Sequence, residues 1–231
     1  MNVLAIDTSN QPMSVAILKD NQLAAELTVN VKRNHSIQLM PAVDYIFNQA
    51  NLTPKDLNLI AVSEGPGSYT GLRIGMTTAK TMAWALNLPV VAISSLEMLA
   101  ANLSYHNGYV CPFFDARRGN VFTGLYQVQN GQMTKVKDDL NTSMESWLEQ
   151  LQNIDETVHF ISSTNHQFDD LIKEKLGAQA NIIQHSMNLP RASMLAHLAL
   201  EREPTPVHAL KPQYHRMVEA EAKWLEQNQK R

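Results

Sequence analysis

The chain has 231 residues, a formal net charge of −3, 44% hydrophobic residues and 18% charged residues. This composition is typical of a globular protein and excludes a disordered or fibrous chain, and the length allows one or two domains. A protein that binds nucleic acid unaided, through the phosphates, usually carries a basic excess. The negative charge therefore disfavours a free-standing RNA-binding protein.

The cysteine content and the apolar runs bear on the compartment. Cys111 is the single cysteine and cannot form an internal disulfide, which suits a reducing compartment. It lies in an apolar run, which favours a buried, inert thiol over a nucleophile. The chain does not begin like a signal peptide, and its apolar runs are far shorter than the ~20 residues that span a bilayer. We expect a cytoplasmic protein without membrane association.

In the N-terminal half, the apolar periodicity predicts three strands followed by helix, strand, helix, strand and helix. In chain order these elements are Val3 to Ile6, Met13 to Leu18, Leu23 to Val29, Ser36 to Ala50, Leu57 to Gly65, Gly71 to Leu86, Pro89 to Ser94 and Ser95 to Leu103. The "TPKD" segment at Thr53 to Asp56 has a capping-box-like spacing and predicts a further helix start.

The same order of elements is predicted again in the C-terminal half. In chain order these are Tyr109 to Ala116, Asn120 to Val128, Met133 to Lys137, Ser143 to Leu151, Val158 to Ser162, Gln167 to Leu176, Ala180 to Gln184 and Ala192 to Glu201. A proline-punctuated tail follows, and a charged helix is predicted from Val218 to about Gln227. The alternative to a duplication is a chance alternation of elements.

A duplicated unit of this kind predicts an α/β fold with two mixed sheets and flanking helices. It resembles actin, the heat-shock ATPases and the sugar kinases, in which an aspartate ending the first strand of each half approaches the metal and phosphates of a nucleotide. Asp7 and Asp115 stand at those places. We predict two actin-like subdomains, residues 1–104 and residues 105–231, the second including the C-terminal helix.

The segment "SEGPGSYTGLRIGMTTAK" raises the question of a phosphate-binding loop. Gly65, Gly67 and Gly71 fit neither the G-x4-G-K-[ST] pattern nor the G-x-G-x-x-G pattern. Helix amides near Ser68 to Gly71 could still bind an anion. The alternative is close packing by a face of small residues spaced four apart. These residues are Gly71, Gly75, Ala79 and Ala83.

Five motifs together resemble the TsaB (YeaZ) family. They are "LAIDTS", "NHSIQLMP", "GPGSYTGLRIG", "DARRGNV" and "KPQY.R", which span Leu4 to about Arg216. Members of this family are bacterial subunits of the machinery that makes threonylcarbamoyladenosine at position 37 of tRNA. The family is related to the catalytic subunit TsaD, whose relatives were once labelled M22 glycoproteases.

The metal-binding motif of TsaD-like proteins is missing. Those proteins have an H-x-x-x-H motif after the strand that follows the glycine-rich helix, and two His at i and i+4 share one helix face. Ser95 and Leu99 stand at the matching positions, and no two of the eight His are four residues apart. We therefore predict neither a catalytic residue nor a metal site.

The resemblance implies a non-catalytic assembly subunit that forms a heterodimer with a TsaD-like catalytic subunit, which recruits a TsaE-like ATPase. Transfer RNA is then bound through the complex, ATP and a metal belong to the partner subunits, and this chain alone has no cofactor. The family pairs through its first two helices, and the same surface is expected to form homodimers without the partner. The candidate interface residues are His35, Leu39, Val43, Ile46, Gly71, Arg73, Gly75 and Ala79.

Alternatives remain from the same residues. Asp7, Gly65, Gly67 and Asp115 are candidates for a nucleotide site. The corresponding functions are an actin-fold small-molecule kinase or, from the older label, an M22-type peptidase. The basic segment "ARRG" at residues 116–119 fits either a solvated turn or a contact with tRNA phosphate, and so does "KRN" at residues 32–34.

Overall fold

Ten strands and six helices form two sheets with flanking helices in the computed structural model, which describes residues 1–32, 34–164 and 166–214. The strands are β1 (Val3–Asp7), β2 (Met13–Lys19), β3 (Gln22–Val29), β4 (Leu59–Gly65), β5 (Val90–Ser94), β6 (Gly108–Arg117), β7 (Asn120–Gln129), β8 (Gln132–Ser143), β9 (Val158–Ile161) and β10 (Ala180–Ile182). The helices are α1 (His35–Ala50), α2 (Tyr69–Leu86), α3 (Ser95–Ala100), α4 (Met144–Leu151), α5 (Asp169–Leu176) and α6 (Ala192–Leu200).

The two sheets have the same topology. The first has the order β3-β2-β1-β4-β5, with an antiparallel meander from β1 to β3 and parallel pairing of β1, β4 and β5. The second has the order β8-β7-β6-β9-β10, with the matching pairings. Parallel strands need crossover connections, which α1 and α2 supply in the first sheet and α4 and α5 in the second. The predicted repeat and the two mixed sheets are confirmed.

Strand β1 lies between two hydrophobic cores because successive side chains in a strand point to opposite faces. Leu4 and Ile6 pack in the core that includes α1 and α2, whereas Val3 and Ala5 pack in the core that includes α6. The first sheet is therefore covered on both faces, which explains the continuous apolar run of β1. Among the described residues, no helix combines the length and the apolar character needed to cross a membrane.

Each half of the chain contributes a helix to the other half's core. Helix α3 follows β5, yet Leu96 and Leu99 pack with Phe114 on the second sheet. Helix α6 comes from the C-terminal half, yet Leu195 packs on the first sheet. The predicted division into two subdomains falls after residue 104, between α3 and β6. Packing crosses this boundary in both directions, so the division stays a prediction.

Three predicted elements differ from the structure or lie outside it. The "TPKD" segment forms the expected capping box at Thr53 but only one 3-10 turn, Pro54–Asp56, because β4 begins three residues later. Strand β8 continues to Ser143, well beyond the predicted Lys137, because it stays paired with β7 although its second half is polar. The helix predicted from Val218 lies outside the described residues.

Candidate functional site

The loop after β1 lies directly against the start of α2. The amide of Ser68, the N-cap of α2, donates a hydrogen bond to the Ser9 carbonyl at 2.6 Å. The Thr8 hydroxyl donates to the Gly71 carbonyl at 2.7 Å. These bonds fix the start of the helix to the end of the first strand.

Three glycines make this approach possible. A Cβ on Gly67 would overlap the Ser9 carbonyl, a Cβ on Gly71 would overlap the Thr8 carbonyl, and a Cβ on Gly75 would overlap Thr8 Oγ1. Gly71 and Gly75 are four residues apart and share one face of α2, and Gly67 stands just before the N-cap Ser68. The close packing predicted for the glycine segment is observed within the chain, and anion binding by the helix amides stays a prediction.

At two of the four predicted nucleotide-site residues, Gly65 and Gly67, the chain itself occupies the space beside the glycine. A Cβ on Gly65 would lie 2.5 Å from the Gln213 carbonyl, so the C-terminal tail occupies the space beside this glycine, as Ser9 does beside Gly67. Asp115 is half-buried, and its Oδ1 accepts a hydrogen bond at 2.8 Å from the backbone amide of Arg117, two residues further along. A glycine loop binds phosphate by letting the phosphate approach its backbone closely. Here the carbonyls of Gln213 and Ser9 occupy the space beside Gly65 and Gly67.

Asp7 is completely buried. Its Oδ1 accepts hydrogen bonds from the Ser63 hydroxyl and from the Ser9 amide, while Oδ2 has no partner among the described residues. Burial raises the pKa of this carboxyl, and the bonds from Ser63 and Ser9 oppose the increase. A carboxyl enclosed in this way positions the loop after β1 and does not reach a metal in solvent.

Six of the eight predicted interface residues face the interior of this chain. Leu39, Val43, Ile46 and Ala79 pack in the core on the first sheet, and Gly71 and Gly75 lie against Thr8. The apolar stripe of α1 and the small-residue face of α2 are the faces that hold these helices on their own sheet. Leu39 also lines an open groove between the two helices, and contact of the predicted set with a partner stays a prediction.

The other two candidates are accessible in part or fully. His35 is half-buried at the first position of α1, and its Nε2 lies 2.8 Å from the Asn10 carbonyl. Asn34 caps the helix by accepting a hydrogen bond from the Ser36 amide. Arg73 is exposed on α2. Of the predicted set, Arg73 is the residue best placed to meet another molecule.

The outer faces of α1 and α2 carry apolar side chains that sequence analysis missed. Among the described residues, twelve large hydrophobic side chains are exposed, and five of them lie on these two helices. These five are Ile37, Met40, Tyr45, Tyr69 and Trp84. The available signal was an apolar residue off the core stripe, such as Ile37, which is 72% exposed.

A groove of about 490 Å³ runs between the two helices. Its described lining residues are Ser36, Leu39, Met40, Tyr69, Thr70, Arg73, Ile74, Thr77 and Thr78. Among the described residues, the lining is apolar and hydroxyl-bearing, with Arg73 as its one charged side chain. We refer to this groove and the exposed faces beside it as the α1–α2 face.

A second polar cluster connects the two halves. Asp139 of β8 accepts hydrogen bonds from the Ser94 hydroxyl of the first half and from the Tyr126 hydroxyl at 3.0 Å. Burial and the neighbouring Asp139 and Glu97 raise the pKa of Tyr126. Glu64 is partly buried near the same carboxylates, and burial followed by Asp139 raises the pKa of its carboxyl. This cluster was not predicted, because its members come from five separate elements.

The positions that match the TsaD metal motif are enclosed. Ser95 and Leu99 lie on α3 and are both fully buried. Within residues 1–32, 34–164 and 166–214, no group of three or more His, Cys, Asp and Glu side chains is arranged to hold a metal ion. Burial raises the pKa of the Cys111 thiol to about 11, so this thiol is protonated at neutral pH and a poor nucleophile.

Known proteins resemble this chain in sequence and in fold. The family model described as "TsaD: tRNA N6-adenosine threonylcarbamoyltransferase" matches residues 26–224. A Bacillus subtilis (strain 168) protein named "tRNA threonylcarbamoyladenosine biosynthesis protein TsaB" is 46% identical over 226 residues, which cover 98% of this chain and 99% of that protein.

Solved structures agree with the sequence relatives. The structure named "YeaZ from Pseudomonas aeruginosa" has a TM-score of 0.77 at 25% identity, covering 92% of this chain and 99% of that chain. A ROK hexokinase from Thermus thermophilus has a TM-score of 0.50 at 8% identity, covering 87% of this chain and 99% of that chain, a likeness of fold alone. With the repeated sheet topology, this likeness confirms the predicted actin-like and sugar-kinase-like fold.

The contact between Gly75 and Thr8 predicts that Gly75→Ala destabilises the protein, although Gly to Ala in a helix is usually stabilising. Gly to Ala within a helix ordinarily stabilises by roughly 0.5–1 kcal/mol. We expect Gly75→Ala to lower the free energy of unfolding by about 1–3 kcal/mol instead, because its Cβ overlaps Thr8 Oγ1. Urea unfolding of Gly75→Ala, Thr8→Ala and the double variant measures the coupling. A double variant as unstable as the sum of the single variants would contradict the contact.

The raised pKa of Glu64 predicts a pH-dependent stability. The folded chain holds this proton more tightly than the unfolded chain, so the stability that Glu64 contributes is complete below the unfolded pKa, about 4.3, and decreases as the pH rises through the raised folded pKa. Glu64→Gln should therefore raise the free energy of unfolding at neutral pH and have little effect near pH ~4. Urea unfolding at both pH values checks this, with the exposed Glu149→Gln as control. An effect of equal size at the two pH values would contradict it.

Proposed function

The chain belongs to the TsaD family and, within it, to the TsaB (YeaZ) proteins, and on this premise we propose that it is a non-catalytic assembly subunit in tRNA modification. The complex forms N6-threonylcarbamoyladenosine at position 37 of tRNAs that read codons beginning with A. This chain pairs with a TsaD-like catalytic subunit, and a TsaE-like ATPase joins the pair. ATP and a metal belong to those partners.

The α1–α2 face is the observation that carries this proposal. It combines a groove with exposed apolar side chains, of which Ile37, Met40 and Trp84 lie outside the core that holds α1 and α2 on their own sheet. A large apolar patch on a protein surface is a mark of an interaction site. Interfaces of this kind are apolar at the centre and polar at the rim, as Met40 and Ile74 with the surrounding threonines would make this one. In the absence of the partner, the same face is expected to pair with a second copy.

The interior of the chain supports a role without chemistry of its own. Ser95 and Leu99 replace the metal-binding histidines and are enclosed by the core. Asp7 is enclosed as well, and the space beside Gly65 and Gly67 is filled by the backbone of Gln213 and Ser9. A peptidase or a small-molecule kinase would need at least one of these positions to be open to a substrate.

The distribution of basic residues supports tRNA binding through the complex. The net charge is −3, and the exposed basic pair Arg117 and Arg118 lies at the tip of the hairpin between β6 and β7. Two arginines neutralise too few phosphates to hold a tRNA at physiological salt. Together with basic residues of a partner, the same hairpin could contribute to one larger surface.

Reconstitution of the modification tests the proposed function directly. The TsaD-like subunit, the TsaE-like ATPase and the enzyme that supplies the threonylcarbamoyl adenylate are incubated with tRNA, without this chain and then with it. We expect modified adenosine only after the chain is added, and no turnover of ATP, peptides or tRNA by the chain alone. Modification without this chain, or turnover by the chain alone, would contradict the proposal.

A charge placed on the α1–α2 face should prevent assembly. Met40 is 50% exposed in the groove, so Met40→Asp should leave the fold intact and weaken binding of the TsaD-like subunit by roughly tenfold or more. Val136→Asp is the matched control, because Val136 is 47% exposed on β8, away from this face. Isothermal titration calorimetry gives both dissociation constants. Equal binding by the two variants would place the interface elsewhere.

A further inference from the structure

Residues 205–214 lie beyond α6 and outside the helices and sheet strands, with a turn at residues 207–209, and we call this segment the C-terminal strap. The amide of Thr205 donates a hydrogen bond to the Val90 carbonyl at 2.8 Å, beside the edge strand β5. Further along, Leu210 packs in the core of the first sheet. The strap is therefore anchored to the first half although it belongs to the end of the chain.

The strap runs along α2 in the direction opposite to the helix. Lys80 Nζ donates a hydrogen bond to the Leu210 carbonyl at 2.7 Å. Four residues later, the Tyr214 hydroxyl accepts a hydrogen bond from Arg73 Nε at 3.0 Å. As the residue number increases along the strap, its contacts move from the middle of α2 towards its first turn. Tyr214 thus arrives at the α1–α2 face.

Tyr214, Arg73 and Tyr69 form a stacked cluster at that face. The guanidinium carbon of Arg73 lies 4.0 Å from the centre of the Tyr69 ring. The rings of Tyr69 and Tyr214 have their centres 5.0 Å apart and are tilted by 32°. An arginine that is stacked on one tyrosine and hydrogen-bonded to a second has lost much of its rotational freedom before any partner binds.

The described lining of the groove beside this cluster carries positive charge. Arg73 is the one charged side chain among the described residues that line it, and the others are apolar or hydroxyl-bearing. The guanidinium has five N–H donors, and the Nε donor is directed to Tyr214. Charge complementarity therefore favours an occupant that has an apolar helix face and a carboxylate at the position of Arg73.

We propose that Tyr214 positions Arg73 to bind a carboxylate of the TsaD-like subunit, so that the C-terminal strap is part of the partner-binding surface. This inference rests on the proposed function. Tyr214 acts through Arg73 and is a positioning residue. Arranging the long arginine side chain before association removes part of the ordering cost of binding. The strap thereby connects the end of the chain to a surface built by its first two helices.

Two conservative variants test the cluster in the full chain. Tyr214→Phe keeps the ring and removes the hydroxyl, and it should weaken binding of the TsaD-like subunit by about 3- to 10-fold. Arg73→Lys keeps the charge and removes the planar fork, and it should weaken binding by about 10-fold or more. Tyr105→Phe is the matched control, because Tyr105 is 92% exposed and lies outside this face. Calorimetry gives the dissociation constants, and thermal unfolding shows whether each fold is intact.

Salt dependence separates an electrostatic role from a structural one. The wild-type dissociation constant should increase between about 0.05 M and about 0.3 M NaCl, because an exposed ion pair is screened. Arg73→Ala should remove most of that increase. An equal salt dependence in wild type and Arg73→Ala, or undiminished binding by Tyr214→Phe and Arg73→Lys, would overturn the inference while the proposed function stands.

Two further outcomes are distinguishable. If the wild-type chain does not bind the TsaD-like subunit at all, both the proposed function and this inference are overturned. Self-association is measured by light scattering coupled to size-exclusion chromatography. If the cluster variants change only self-association, the occupant of the groove is a second copy and the inference is contradicted.

Discussion

The close approach between the loop after β1 and the start of α2 is the constraint on which the rest of the structure depends. Backbone and side-chain atoms of Thr8 and Ser9 lie where the Cβ atoms of Gly67, Gly71 and Gly75 would otherwise be. The approach fixes α2 on the sheet and encloses Asp7. It also uses the glycine segment for packing within the chain, because the backbone of Thr8 and Ser9 takes the space beside Gly71 and Gly67.

This packing also determines which surface remains for a partner. The apolar stripe of α1 and the small-residue face of α2 pack against their own sheet. The outward faces carry Met40, Tyr69 and Arg73. The strap then reaches the same face through Tyr214. A surface assembled from residues near both ends of the chain depends on the whole fold, which fits the proposed role of presenting a surface to a partner.

The order of strands and helices could be predicted from the sequence because apolar periodicity and turn residues are local signals. What covers the apolar face of a helix could not be predicted in the same way. The stripe through Leu39, Val43 and Ile46 shows that one side of α1 is covered, but periodicity does not tell whether the cover is the chain's own sheet or another protein. The hydrogen bonds from Ser94 to Asp139 and from Arg73 to Tyr214 could not be predicted either. They join residues that are 45 and 141 positions apart in the sequence.

Hydrogen–deuterium exchange of this chain, alone and with the TsaD-like subunit, tests the central claim most directly, because it shows which backbone amides the partner protects. The account predicts new protection in α1, in α2 and in residues 205–214, with no change in the hairpin between β6 and β7. Protection confined to the second sheet, or no protection in the presence of the partner, would contradict it.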